Sequence, residues 1–194
     1  MEEKQLNEKE SLELIAQMIR NTQRKMEKNS GLPFLIWGYT TIAVSLAVWY
    51  LLSTTGNYQW NWLWLTIPVI GFPIMMFTFK KNEVYPKTYI DKVISYVWIV
   101  FGLSAFIVSA GTFIFHRFPI LFTVILLISM GTAITGLIIK FKPLVFSGFL
   151  GMFLSFLCLM LNPLNSILVF AGLFLIVQVI PGHILNYKSR KSHV

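Results

Sequence analysis

Two residues of this chain have side chains that could do chemistry at a shared depth, Ser147 and His183. Ser147 follows Lys142 by five residues, and His183 precedes Lys188 by five. Each therefore stands just inside a long apolar run at a basic boundary, where a serine beside a histidine can generate a nucleophile. The surrounding text, Val145-Phe146-Ser147-Gly148, lacks the Gly-x-Ser-Gly element of rhomboid-type proteases, and no third residue or oxyanion donor accompanies it. A packing role for Ser147 is the better reading, and no catalytic residue is expected. Gln178, about one turn before His183, is the only amide deep within an apolar run and is expected to bond another helix. Ser147, Gln178 and His183 are thus the expected intramembrane polar contacts.

The remaining chemistry is defined by what is missing. No Asp, Glu, Lys or Arg falls inside any of the long apolar runs. Carboxylate-coupled transport loses its usual carriers, as do glutamate-and-histidine membrane proteases and aspartyl proteases. His116, His183 and His193 are scattered and make no metal site by spacing. No glycine-rich phosphate loop precedes a helix. Cys158 is alone, so no internal disulfide forms. No cofactor, metal or direct nucleic-acid partner is expected, and the protein reads as non-enzymatic.

The elements that must position these residues follow from the distribution of charge. The chain has 194 residues, of which 56% are hydrophobic and 12% charged, about half the usual charged fraction. Six uncharged runs emerge: 32–52, 60–79, 93–115, 118–139, 143–161 and 164–185. Each holds about 20 residues, enough at about 1.5 Å of rise per residue to cross a hydrocarbon core about 30 Å thick. Lipid offers the backbone no hydrogen-bond partner, so such runs must be helices. The expected fold is an all-α integral membrane protein. Six transmembrane helices, arranged as three hairpins over 32–187, follow an amphipathic helix over 1–31 and precede a basic tail over 188–194.

Of the sixteen Lys and Arg residues, fifteen fall in the N-terminal segment, 80–92, 140–142 and the tail; only Arg117 falls in the alternate connections. By the positive-inside rule both termini are cytoplasmic. This placement also accounts for the net charge of +8 without invoking nucleic acid. Trp49, Tyr50, Tyr58, Trp60, Trp62 and Trp64 then form an outer aromatic belt, and Trp37, Tyr39, Tyr96, Trp98 and Tyr187 an inner one. Pro68, Gly71 and Pro73 predict a kink in the second span. Small residues such as Gly131, Thr132, Ser147, Gly151 and Ser155 predict close helix seams. Lys80, Lys140 and Lys188 close the return spans at similar offsets from Trp37, Trp98 and Phe146, a spacing that either a hairpin repeat or membrane-length helices alone produce.

The N-terminal segment carries Leu12, Ile15, Ile19, Thr22 and Met26 at a 3-4-3-4 spacing, one apolar stripe of a helix. Glu8, Glu10 and Glu13 come first and Arg20, Arg24, Lys25 and Lys28 last, which complements the helix dipole. Gly31 and Pro33 predict a stop before the first span. Two readings of the stripe stand. It docks on its own bundle or the headgroup layer, or its residues Leu12, Ile15, Ile19 and Met26 bind a cytoplasmic protein or a second copy.

Glu10-Ser11-Leu12-Glu13-Leu14-Ile15, Met18-Ile19, Trp37-Gly38 and Ile180-Pro181-Gly182-His183 resemble a group of small uncharacterised bacterial inner-membrane proteins. In plan the chain is also similar to membrane partners of PadR-type transcription regulators. The resemblance implies the bacterial inner membrane. The function expected is regulation or interaction through the cytoplasmic face, in contact with the lipid bilayer. A small transporter, channel or lipid-handling protein with an uncharged cavity is the competing class, and an intramembrane hydrolase rests on Ser147 and His183 alone.

Overall fold

Apolar runs without charge can pair their backbone only along themselves, and the chain is helical accordingly. The structure is a computed structural model that describes residues 8–80, 89–112 and 118–191. Within these, the side chains of 8–11, 14–15, 18–30, 79–80 and 189–191 lie outside the description. In order come α1 (Glu8–Thr55), a 3-10 helix (Tyr58–Leu65), α2 (Thr66–Lys80), α3 (Tyr89–Gly111) and α4 (Ile120–Ile138). Then follow α5 (Lys142–Leu154), α6 (Leu157–Met160), α7 (Pro163–Phe174), a π-helical turn (Leu175–Val179) and α8 (Ile180–Lys191). Among the described residues there is no strand. Six stretches are long and apolar enough to cross a membrane: Gly31–Thr55, Tyr58–Thr78, Tyr89–Gly111, Ile120–Ile138, Lys142–Met160 and Pro163–Lys188.

Several boundaries differ from the sequence expectation, each for a local reason. The stop expected at Gly31 and Pro33 is absent: α1 is a single helix of 48 residues, with Pro33 inside it. Pro33 offers no N–H to the carbonyl four residues earlier, which ordinarily breaks a helix. Here α1 already packs on α8 before the proline, since Gly31 lies against Asn186 and the Gly182 carbonyl. Tertiary contact on both sides of Pro33 overrides its local preference.

In the second span the expected irregularity falls at its start. Pro68 cannot donate to the Trp64 carbonyl, and the chain there is 3-10, with Thr66 N–H and Oγ directed to the Leu63 carbonyl. The third helix begins at Tyr89 rather than Val93, with Asp91 in its first turn, and ends at Gly111. The fifth is interrupted at Ser155 and Phe156, where Cys158 N–H bonds the Ser155 carbonyl at 3.0 Å in the tighter 3-10 pattern. Ser166 of α7 meets the end of the short α6 and the turn after it, its hydroxyl lying 3.0 Å from the Cys158 carbonyl, 3.2 Å from that of Leu161 and 3.1 Å from that of Asn162.

Three apolar clusters run along the bundle. Phe34, Ile139, Phe141, Leu144 and Leu185 form one, with Ile90, Ile94 and Trp98 packed against it. Ile125, Cys158, Phe170, Leu173 and Phe174 form the middle one. Val44, Val48 and Ile167 form the third, covered by Trp49, Leu52, Leu63, Trp64 and Ile67. The first cluster joins the starts of spans one, three and five to the ends of spans four and six. The core comprises α1, α4, α5 and the sixth span; α2 packs on α1 and α3 packs on α4.

The seam between α4 and α5 is the closest. A Cβ on Gly148 would meet the Ala133 backbone nitrogen at 2.5 Å, and one on Gly136 the Val145 nitrogen at 2.6 Å. Backbone cannot yield as a side-chain tip can. Gly148→Leu is expected to cost about 1 to 3 kcal/mol or more, lowering the melting temperature of purified protein by several degrees. Gly102→Leu on α3, where no atom lies within 4 Å of the added Cβ, should leave it within about 2 °C.

Candidate functional site: a polar seam between the fourth, fifth and sixth spans

The buried polar groups gather where the core helices cross. Ser129, Thr132 and Thr135 lie on the inward face of α4, and Ser147 and Ser155 on α5 or its end. The sixth span contributes Gln178, only 1% exposed, from within the π-helical turn. The π turn has a direct cause. Pro181 has no N–H for the Val177 carbonyl, and its ring would clash with that carbonyl in a regular α-helix. One wider turn relieves this, closed by the Ile180 N–H bonded to the Leu175 carbonyl.

In that turn Gln178 reaches across to α4. Its Nε2 donates to Thr132 Oγ1 at 3.0 Å, and Thr132 Oγ1 donates in turn to the Ile128 carbonyl at 2.8 Å. The threonine hydroxyl thus accepts from one helix and donates to its own. α1 closes the other side, where a Cβ on Gly38 would meet Val179 at 2.7 Å and Gln178 Cβ at 3.1 Å. Gly151 of α5 lies against both Ser129 and Val177. Ser129 Oγ is buried with no hydrogen-bond partner, as is Trp49 Nε1 nearer the other end.

Ser147 and His183 are engaged elsewhere. Ser147 Oγ donates to the Leu144 carbonyl at 3.1 Å, within its own helix. His183 Nε2 lies 2.7 Å from Tyr39 Oη on α1, with the two rings edge to face at 5.9 Å. Neither bond joins serine to histidine. The seam offers hydroxyls and one amide, groups that fix helix register and hydrogen-bond neutral partners. Among the described residues, no three His, Cys, Asp or Glu side chains gather as metal ligands would.

Of the N-terminal stripe, Leu12 is described and is 68% exposed. Ile15, Ile19 and Met26 lie on the same helix, but their side chains are outside the described residues. His116, Arg117 and His193 also lie outside them. Sequence reasoning missed Thr132 as a partner for Gln178, although the run Gly131-Thr132-Ala133 marks a close face. It took Tyr39 only as a belt residue; its bond to His183 spans 144 positions, which no local pattern signals. None of the known family models, curated proteins or solved structures compared with the chain matches it.

The Gln178 to Thr132 bond can be weighed directly. In a double-mutant cycle of Gln178→Leu and Thr132→Val, followed by denaturant unfolding, the coupling should be about 0.6 kcal/mol and below about 1.7, the range for such bonds between membrane helices. Strictly additive single changes would show that the two side chains do not cooperate.

Proposed function

We propose that this is a non-enzymatic, six-span protein of a bacterial cytoplasmic membrane, with both termini inside, that regulates or recruits a protein partner through its N-terminal helix. The observation that carries this reading is the continuity of α1 from Glu8 to Thr55. Of its 48 residues, Gly31–Thr55 form the membrane-length part. The 23 residues before Gly31 add about 35 Å of helix at about 1.5 Å per residue. An apolar stripe running along this extension, with Leu12 exposed near its far end, favours a partner over the protein's own bundle. Any force on that stripe passes along one unbroken helix to Gly38 and the polar seam.

Charge supports the orientation, since fifteen of sixteen basic residues fall on the side assigned to the cytoplasm. The competing reading, a transporter with an uncharged cavity, draws on the break in the fifth span and the π turn in the sixth. Close packing at Gly148, Gly151 and Gly38 supports regulation instead, because the helices meet where a cavity would have to open.

Two measurements test the proposal. In a Cys158→Ser background, an impermeant thiol reagent added to intact cells should label Gly56→Cys and Asn165→Cys but not Glu83→Cys or Ser192→Cys; outside labelling of the last would reverse the topology. Ile15→Asp with Ile19→Asp should leave the melting temperature within about 2 °C, as exposed substitutions do, while abolishing partner co-purification. A large loss of stability would instead show that the stripe docks on its own bundle.

A further inference from the structure

We propose that the outward face carrying Tyr39 and His183 seats a second copy of this chain in a twofold-symmetric pair. The proposal rests on the reading of the six helices as membrane spans. Tyr39 on α1 is 51% exposed and His183 on α8 is exposed beside it, their side chains joined at 2.7 Å. His183 precedes Lys188 by five residues, about 7 Å of helix, so the pair lies inside the apolar length. Among the described residues neither side chain makes a further hydrogen bond.

The single bond leaves the pair incomplete in a specific way. With a neutral histidine, the tyrosine O–H donates to Nε2, and Nδ1–H remains as a free donor while Oη remains as a free acceptor. With the other tautomer, Nε2–H donates to Oη, and the tyrosine O–H and Nδ1 take those roles. Either way the exposed pair keeps one donor and one acceptor unmet among the described residues, at a depth where lipid tails can satisfy neither. A twofold axis brings the donor of each copy to the acceptor of the other, so both are met by the same patch used twice.

The surroundings permit the approach. From Tyr39 the exposed stripe of α1 continues through Ala43 and Ala47 at four-residue steps. On the adjacent α7, Gly172 has no atom within 4 Å of where its Cβ would stand. Small residues at this spacing let helix backbones meet in lipid. Bulky apolar residues are exposed on both sides, Leu46 and Ile184 here and Ile99 and Phe106 on α3, and α3 exposes Gly102 and Tyr96 as well. What singles out the α1 and α8 side is the polar pair bonded across two helices.

The test uses the full chain with Cys158→Ser and Ala43→Cys, in nanodiscs of phosphatidylethanolamine and phosphatidylglycerol, treated with copper phenanthroline. A disulfide-linked dimer is expected. Tyr39→Phe should lower its yield about tenfold, the scale of two lost interhelical hydrogen bonds in lipid. His183→Gln, which keeps one donor and one acceptor, should retain much of it. A monomeric chain without cross-link overturns the pairing, and so does a dimer undiminished by Tyr39→Phe or a cross-link to another protein only. Alkaline carbonate extraction separates the two readings: a chain released from the membrane defeats the span assignment, whereas a retained monomer defeats only the pairing.

Discussion

A hydrocarbon solvent accepts no hydrogen bonds, and every polar atom that enters it must find a partner within the protein. Among the described core residues most hydroxyls meet that constraint by folding back on their own helices, while Ser166 reaches the Cys158 carbonyl of the preceding helix and Ser129 Oγ has no partner. Ser45 donates to the Thr41 carbonyl, Thr135 to that of Gly131, and Ser147 to that of Leu144. Such residues carry little polarity to the helix surface and take little room. They therefore do what glycine and alanine do, allowing α1, α4, α5 and the sixth span to approach at backbone distance. Gln178 differs from these hydroxyls, since an amide cannot turn back so compactly. It crosses to Thr132 and makes α4 and the sixth span a registered pair.

That bond depends on a defect. Pro181 forces a wide turn just before it, and Gln178 sits in that turn, with Gly38 of α1 packed against its Cβ. A regular α-helix through 175–179 would rotate the residues after it by about 100°, one helical step for the residue that the wide turn absorbs, given 3.6 residues per turn. The face of α8 that packs on α1 would turn away with them. The π turn thus serves both ends of the sixth span: it aims Gln178 at α4 and keeps Gly182 and Asn186 against α1.

The six long helices were legible in the sequence because uncharged apolar runs of membrane length can pair their backbone only along themselves. Six apolar runs appeared as six membrane-length helices, and their boundaries moved mostly where backbone chemistry intervened at Pro68, Ser155 and Pro181. Gln178 stood out as the only deep amide, whereas its partner Thr132 did not, because a threonine in a small-residue run reads the same whether it bonds or packs. The Gly31 and Pro33 signal misled for a different reason. A stop signal describes a local preference, and α8, some 150 residues away in sequence, supplies the contact that outweighs it. Tyr39 and His183 belong to the same class of long-range fact.

The division between core and flank decides which helices can move. α3 has no buried residue; it packs mainly on α4 and touches α1 where Trp98 meets Phe34 edge to face at 5.6 Å. α2 leans on α1 through Trp37 and Phe72, whose rings meet edge to face at 5.2 Å. Flanking helices with so little buried surface can shift at smaller cost than the core helices. The core helices have no such freedom: moving α1 along its axis would drive Gly31 and Gly38 out of register with α8 and the π turn. Of the core helices, α1 alone extends well beyond the membrane-length part, so a displacement there must either be resisted by the whole core or reset the sixth span at its one irregular turn.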